Sequence, residues 1–117
     1  MTNPQWADTW LVDLNPTIGQ EIRKTRPVVV VSANVFNPIA LRIVIPVTTW
    51  QDKFAQRPFM VPLSANQTTG LNKQSAANVL QIRSLSTQRF SKKLGRISNE
   101  TMQEILVGLA VCVDYVP

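Results

Sequence analysis

The stretch that decides the fold is Pro27-Val28-Val29-Val30-Val31-Ser32. Four consecutive β-branched residues without a polar interruption are typical of a β-strand that is buried on both faces. Shorter segments with strand character lie on either side of it, at 9–14, 41–48, 58–63 and 78–83. Prolines, glycines and asparagines separate these segments, as they do in chains of short antiparallel strands. The sequence therefore predicts about five antiparallel strands.

Only the last segment of the chain has a helical period. Its apolar residues recur at the spacing of one helix face: Met102, Ile105, Leu106, Leu109, Ala110 and Val113. Ser98 or Asn99 is suited to cap this helix, because both side chains accept hydrogen bonds from free backbone amides. The expected architecture is a small, strongly curved sheet or barrel with one closing helix, and 117 residues fit one domain.

The composition excludes several kinds of active site. Histidine is absent and cysteine occurs once, as Cys112, so Ser-His-Asp and Cys-His sites, histidine-ligated zinc and an intrachain disulfide are excluded. No Walker loop and no Gly-x-Gly-x-x-Gly motif occurs, so no nucleotide cofactor is expected. The seven carboxylates are scattered, so no metal site is expected. Any catalysis must use Arg, Lys, Thr, Ser, Glu or Asp directly on the substrate.

The basic residues are concentrated in the middle of the chain. All twelve Lys and Arg residues lie between Arg23 and Arg96, and residues 21–96 carry a net charge of +10. This concentration favours a polyanion such as nucleic acid or an acidic protein, although high charge also serves solubility. The N-terminus has no signal-peptide pattern and no apolar run is long enough to span a bilayer. We therefore expect a cytoplasmic protein.

A charged loop precedes the valine strand and is the first candidate site. Its residues are Glu21, Arg23, Lys24, Thr25 and Arg26. A dense set of charges beside a rigid strand is typical of the rim of an active site, although a solvated hairpin loop has the same composition.

A second candidate lies at the end of the predicted third strand, Thr48-Thr49-Trp50. Its hydroxyls are suited to a phosphate and its tryptophan to a stacked base, although a turn with a partly buried tryptophan explains the same residues. Gln81 and Arg83 lie on the outer face of the predicted 78–83 strand. Their side chains are candidates for recognising bases.

The segment from Asp8 to Ser32 resembles the opening of the MazF/PemK toxin family. The family signature is a hydrophobic strand, D-x-x-P-x-x-G-x-E, a short loop, and R-P before a valine-rich strand; here it runs from Asp13 through Glu21 to Arg26. Pro46-Val-Thr-Thr49 resembles the second block of the family. Leu80-Gln-Ile-Arg83, together with residues 89–95, resembles the third.

The resemblance implies a small SH3-like β-barrel (CcdB/PemK-like) with a C-terminal helix, with residues 1–117 as one toxin domain. It implies a homodimer that cleaves single-stranded RNA sequence-specifically without a metal or other cofactor, and an acidic, MazE-like antitoxin as partner. By position it makes Arg26, Thr48 and Glu21 the catalytic candidates. The RNA-binding candidates are Arg23, Lys24, Thr25, Thr49, Trp50, Gln81 and Arg83.

The implied chemistry fits the composition, because RNA supplies its own nucleophile, the 2′-hydroxyl. Attack on the adjacent phosphate needs a base, an acid and stabilisation of the phosphorane, and gives a 2′,3′-cyclic phosphate and a 5′-hydroxyl. Arg26 is suited to clamp the phosphate and is a possible acid, although a guanidinium is a poor proton shuttle near neutral pH. Thr48 is suited to donate a hydrogen bond or relay a proton, and Glu21 to act as base or to orient Arg26. Two alternatives remain open: a toxin of the same fold that poisons DNA gyrase, and a non-catalytic nucleic-acid-binding barrel.

Overall fold

The computed structural model describes residues 2–16, 18–21 and 24–116. Its elements, in chain order, are β1 (Asp8–Asp13), β2 (Thr25–Val30), β3 (Leu41–Thr49), β4 (Met60–Leu63), β5 (Ser75–Asn78), β6 (Arg83–Ser86), β7 (Phe90–Arg96) and α1 (Asn99–Cys112). All strand pairs are antiparallel. The prediction of a mainly β fold with one C-terminal helix is confirmed.

The central strand β3 changes partners along its length. Its first part pairs with β2 on one side and β6 on the other, and its last three residues pair with β5. The change occurs around Pro46, which has no amide hydrogen to donate and so suits a gap between two ladders. The strand order is β4-β5-β3-β2-β1-β7, with β6 beside β3. No ladder joins β4 to β7 within these residues, so the SH3-like barrel stays a prediction.

The valine strand lies between two hydrophobic clusters, as its composition predicts. Val29 packs in one cluster with Met102 and Ile105 of α1. Val28 and Val30 point to the opposite face of β2 and pack in the other cluster. All three valines are fully buried, and each such side chain contributes about 1.5–3 kcal/mol through burial. The start of β2 therefore rests on a rigid support.

The helix begins as predicted but buries a narrower face. Ser98 is the N-cap, and its Oγ accepts a hydrogen bond from the Thr101 amide at 3.1 Å. Met102 and Ile105 are fully buried, whereas Val113 lies beyond the end of α1 and is 62% exposed. Gly108 is also buried, and Leu109 and Cys112 pack against the same cluster as Met102 and Ile105, so the helix packs along most of its length. No helix in the described part of the chain is long and apolar enough to span a membrane.

The prediction of five strands is wrong in its second half, where the structure has two more. The predicted 78–83 strand does not form: β5 ends at Asn78, a 3-10 turn covers Val79–Gln81, and β6 begins at Arg83. β5 consists of small residues and β7 is rich in lysine, so neither shows the apolar alternation that marks a strand. Both are held by pairing with neighbouring strands.

The basic residue Arg42 is buried. Arg42 on β3 is 3% exposed and donates hydrogen bonds to the carbonyls of Pro4, Ile39 and Leu41 and to Oδ1 of Asn3. Burial without a carboxylate partner lowers the pKa of Arg42 from its ordinary value. Its guanidinium ties the N-terminal segment to β3, so it does not belong to the positive surface that would face a polyanion.

Candidate functional site

A cavity of about 210 Å³ opens where the β2–β3 ladder ends. The last pair of that ladder is Val28 with Pro46, and Arg26 and Thr48 stand two residues beyond it on the two strands. From β2 and β3 the cavity is lined by Arg26, Pro27, Val47, Thr48 and Thr49. It is also lined by Leu71, Asn72 and Lys73 of the loop before β5, and by Ser75, the first residue of β5. We call this space the Arg26 cavity.

The structure brings together three of the residues singled out from the sequence. Arg26 and Thr48 are half-buried and Thr49 is exposed, and all three face the same cavity. The Thr48 hydroxyl makes no hydrogen bond to the residues that the structure describes. It is therefore available to donate to a bound group.

The cavity is also lined by side chains outside the predicted catalytic set. Lys73 and Asn72 are exposed, and the buried Ser75 donates from Oγ to the Lys73 carbonyl at 2.7 Å. Lys73 and Ser75 follow a polar loop around Gly70 and show no periodicity, so the local sequence does not indicate that they line the same cavity as Arg26.

Two close contacts fix the loop that carries Lys73. Gly70 has φ +70°, and a Cβ there would collide with the Leu94 carbonyl of β7. A Cβ at Gly95 would collide with the Thr68 carbonyl, so glycines let the loop cross β7 at backbone distance. The Thr69 hydroxyl also donates to the Ser64 carbonyl at 2.7 Å. The loop therefore reaches the Arg26 cavity from a fixed base.

A second cavity of about 240 Å³ lies beside the first, and we call it the Gln81 cavity. It is lined by Glu21, Pro46, Leu80, Gln81, Ile82 and Arg83. The structure therefore separates Glu21 from the cavity that holds Arg26 and Thr48. Consecutive residues of β3 line the two spaces: Pro46 lines the Gln81 cavity and Val47 lines the Arg26 cavity.

Polar contacts hold the segment that carries Glu21. The Gln81 amide nitrogen donates to the Gln20 carbonyl at 3.0 Å, and one carboxylate oxygen of Glu21 accepts from the Ile18 amide at 2.6 Å. Gln81 thus connects residues 18–21 to the 3-10 turn between β5 and β6. Glu21 itself is exposed.

The same loop is held at its base by Arg89, a residue distant in sequence that lies just before β7, the strand paired with β1. Arg89, just before β7, donates from Nη1 to the Asp13 carbonyl at 3.1 Å and to the Asn15 carbonyl. The Asn15 side chain in turn accepts from the Lys24 amide at 3.1 Å. Arg89 therefore fixes the turn at which the loop both leaves β1 and returns to β2.

Three further predicted residues that the structure describes, Lys24, Thr25 and Trp50, line neither cavity. Lys24 and Thr25 are exposed at the start of β2, and Arg23 lies outside the described residues. Trp50 is half-buried and packs edge-to-face on Phe54, with ring centroids 5.8 Å apart. That packing favours a structural role for much of the tryptophan ring.

Among the residues that the structure describes, the charges lining the Arg26 cavity have one sign. These residues include two cations, Arg26 and Lys73, and no carboxylate. No group of three or more Cys, Asp or Glu side chains is placed to hold a metal ion in the described ranges. A guanidinium, an ammonium and two threonine hydroxyls in one cavity form a site for a singly charged oxyanion such as a phosphodiester.

Known proteins match this chain over nearly its whole length. Residues 6–113 match the family described as PemK-like, MazF-like toxin of type II toxin-antitoxin system. Endoribonuclease MazF9 of Mycobacterium tuberculosis is 38% identical over 114 residues, which cover 92% of this chain and 94% of that protein. Endoribonuclease PemK of Escherichia coli is 32% identical over 103 residues, which cover 86% of this chain and 74% of that protein.

Solved structures share the fold. The crystal structure of MazF from Deinococcus radiodurans has a TM-score of 0.82 at 22% identity, covering 97% of this chain and 99% of that one. An endoribonuclease in complex with its cognate antitoxin, from a mycobacterial species, has a TM-score of 0.76 at 21% identity, covering 97% and 98%. The solved structures show a shared fold, and the sequence matches show a shared family. This chain belongs to the PemK-like, MazF-like toxins of type II toxin-antitoxin systems.

Proposed function

We propose that this protein is an endoribonuclease toxin that cleaves single-stranded RNA without a metal ion. The observation that carries the proposal is the Arg26 cavity, in which Arg26 and Thr48 meet although they are far apart in sequence. A phosphodiester carries one negative charge, and the described lining of the cavity offers two cations and no carboxylate. The endoribonuclease names of the relatives from Mycobacterium tuberculosis and Escherichia coli support the same activity.

The site residues take distinct roles in this proposal. Arg26 holds the non-bridging oxygens of the scissile phosphate and stabilises the charge that grows on them in the phosphorane. Thr48 donates its unengaged hydroxyl to the same phosphate. Glu21 accepts the proton of the 2′-hydroxyl through the carboxylate oxygen that Ile18 does not engage. The products are a 2′,3′-cyclic phosphate and a 5′-hydroxyl.

Glu21 lines the Gln81 cavity and not the Arg26 cavity, so in this proposal the RNA extends from one space to the other. The nucleotide whose 2′-hydroxyl attacks is proposed to lie along β3 near Pro46 and Val47, which line the two cavities. Gln81 and Arg83 line the same cavity as Glu21, which supports a role for them in reading the edge of that base. The other proposed RNA contacts serve the flanking nucleotides: Arg23, Lys24, Thr25, Thr49 and Trp50.

The partners follow from family and charge. We propose that residues 1–117 act as one toxin domain with an SH3-like barrel, as a homodimer in the cytoplasm, neutralised by an acidic, MazE-like antitoxin. The net charge of +10 over residues 21–96 supports an acidic partner that competes with RNA for the same surface. The mycobacterial endoribonuclease solved with its cognate antitoxin supports the same arrangement.

A direct test is to incubate the protein with a long RNA of mixed sequence in the presence of EDTA and to map the new ends. Discrete cuts with 5′-hydroxyl ends are the expected result, and the cut sites give the recognition sequence. Loss of gyrase activity without RNA cleavage would instead support the gyrase-poisoning alternative. Salt-sensitive binding to RNA and DNA alike, without cuts, would support the non-catalytic barrel.

A further inference from the structure

Cleavage of RNA needs a proton for the departing 5′-oxygen, and the chain has no histidine to supply it. Within the described ranges, the proton donors that line the Arg26 cavity are one guanidinium, one ammonium and the hydroxyls of Thr48, Thr49 and Ser75. An arginine keeps its proton in proteins, so Arg26 is suited to hold charge rather than to give up a proton. The Ser75 hydroxyl already donates to the Lys73 carbonyl. Lys73 is the remaining cationic acid.

The backbone at Lys73 is fixed on both sides. Ser75 pairs with Thr49 in the β3–β5 ladder and its hydroxyl holds the Lys73 carbonyl at 2.7 Å. The Trp50 amide donates to the Gln74 carbonyl at 2.9 Å. Together with the glycine crossing at Gly70, these contacts hold the backbone of Lys73 in the lining of the Arg26 cavity.

The side chain of Lys73 is not engaged elsewhere. It is exposed, and its ammonium makes no ion pair or hydrogen bond with the parts of the protein that the structure describes. By contrast, Lys93 of β7 is within 3.5 Å of the Asp8 carboxylate. The Lys73 ammonium is therefore available to a substrate bound in the cavity that Arg26 also lines.

We propose that Lys73 is the general acid of the cleavage reaction, an inference that rests on the proposed ribonuclease function. The 2′-oxygen forms a bond to phosphorus and its proton passes to Glu21. The bond between phosphorus and the 5′-oxygen breaks, and the 5′-oxygen keeps the electron pair and takes a proton from Nζ of Lys73. Water then returns a proton to Lys73 and removes one from Glu21, so the cycle closes without a metal or other cofactor.

The test uses a short RNA that carries the mapped cut site, and the same RNA with sulfur in place of the bridging 5′-oxygen. Sulfur leaves as a thiolate and needs no proton, so the second substrate makes a general acid unnecessary. Lys73→Met should lower kcat on the ordinary RNA about 100-fold with little change in KM, and should cleave the sulfur-containing RNA at nearly the wild-type rate. Lys73→Arg should behave like Lys73→Met, because it keeps the charge but does not release its proton.

Lys53→Met is the matched control, since Lys53 is an equally exposed lysine outside the cavity, and it should match the wild type on both substrates. Four results would overturn the role of Lys73 alone: no rescue by sulfur, full activity in Lys73→Arg, a change confined to KM, or full activity in Lys73→Met. Wild-type protein that cleaves neither substrate would instead overturn the proposed function itself, and this inference with it.

Discussion

The two halves of the candidate site are held in different ways. Arg26 lies near the start of β2 and Thr48 near the end of β3, and these two strands are paired. The same β2 strand contributes three fully buried valines to two hydrophobic clusters. Glu21 lies on an exposed loop that is held by hydrogen bonds to side chains from distant parts of the chain, chiefly Arg89 and Gln81. The positions of Arg26 and Thr48, the proposed phosphate-binding residues, are therefore fixed by the core. The position of the loop depends on individual polar contacts.

This difference separates the residues proposed to act on the phosphate from the residues that hold the Glu21 loop in place. A substitution in the strand-borne half should remove a step of the reaction and leave the fold intact, because the side chains that act there are not part of the core. A substitution at an anchor of the loop should act indirectly, through the fraction of time that the loop holds its place. The following predictions test that division, beginning with the largest effect.

Arg26→Ala should slow RNA cleavage about 1000-fold, because it removes the charge that stabilises the phosphorane. The free energy of unfolding should change by less than about 1 kcal/mol, since the side chain is only half-buried and lies outside both clusters. Single-turnover cleavage and urea unfolding measure the two quantities. Arg26→Lys should recover part of the rate; a rate near that of wild type in Arg26→Ala would remove Arg26 from the mechanism.

Thr48→Val should slow cleavage about 100-fold, because the two side chains have the same shape but valine has no hydroxyl to donate. The same single-turnover assay checks it, with Thr48→Ser as the control that restores the donor and most of the rate. If the valine and serine variants were equally slow, the hydroxyl would have no part in the reaction.

Arg89→Ala should slow cleavage about 10-fold and lower the free energy of unfolding by about 1–2 kcal/mol, because two backbone carbonyls lose a charged donor. Hydrogen exchange should accelerate at the loop amides of Glu21 and Lys24 but not at those of Val28 and Val29. Lys92→Ala, on the exposed side of β7, is the control. Equal acceleration in β2 would show that loop and strands form one cooperative unit.

Gln81→Leu should have the smallest effect, a rise in KM of about 5-fold, because it removes the amide that donates to the Gln20 carbonyl. The set of cleaved sequences should also broaden, since Gln81 lines the space proposed to hold a base. Sequencing of cut ends measures the breadth. Gln88→Leu, an exposed glutamine outside both cavities, should leave it unchanged; an unaltered set in Gln81→Leu would place base recognition elsewhere.

The sequence predicted best what depends on local composition. The first four strands, the valine strand among them, follow from β-branched runs and turn residues. The Ser98 cap follows from its side chain. Arg26 and Thr48 were first indicated by their local sequence, and the family pattern made them catalytic candidates; the structure places both in the lining of one cavity. Hydrophobic alternation misled the prediction at 78–83, where Leu80 is 59% exposed and the chain turns instead of extending.

What the sequence did not predict depends on contacts between distant residues. Lys73 meets Arg26 only because β5 pairs with β3 and Gly70 lets the preceding loop cross β7. Arg89 anchors a turn more than seventy residues before it, as their hydrogen bonds record. Neither relation leaves a periodic or compositional signal, so both required the folded chain.

The measurement that tests the account most directly compares two RNAs that carry the mapped cut site and differ at one atom. One has a 2′-hydroxyl on the nucleotide before the scissile phosphate, and the other has a 2′-deoxy sugar there. The account predicts that wild-type protein binds both with similar Kd and, in EDTA, cuts only the first, leaving a 2′,3′-cyclic phosphate. Cleavage of the 2′-deoxy RNA at the same phosphate would contradict it, because the nucleophile would then have to come from outside the RNA.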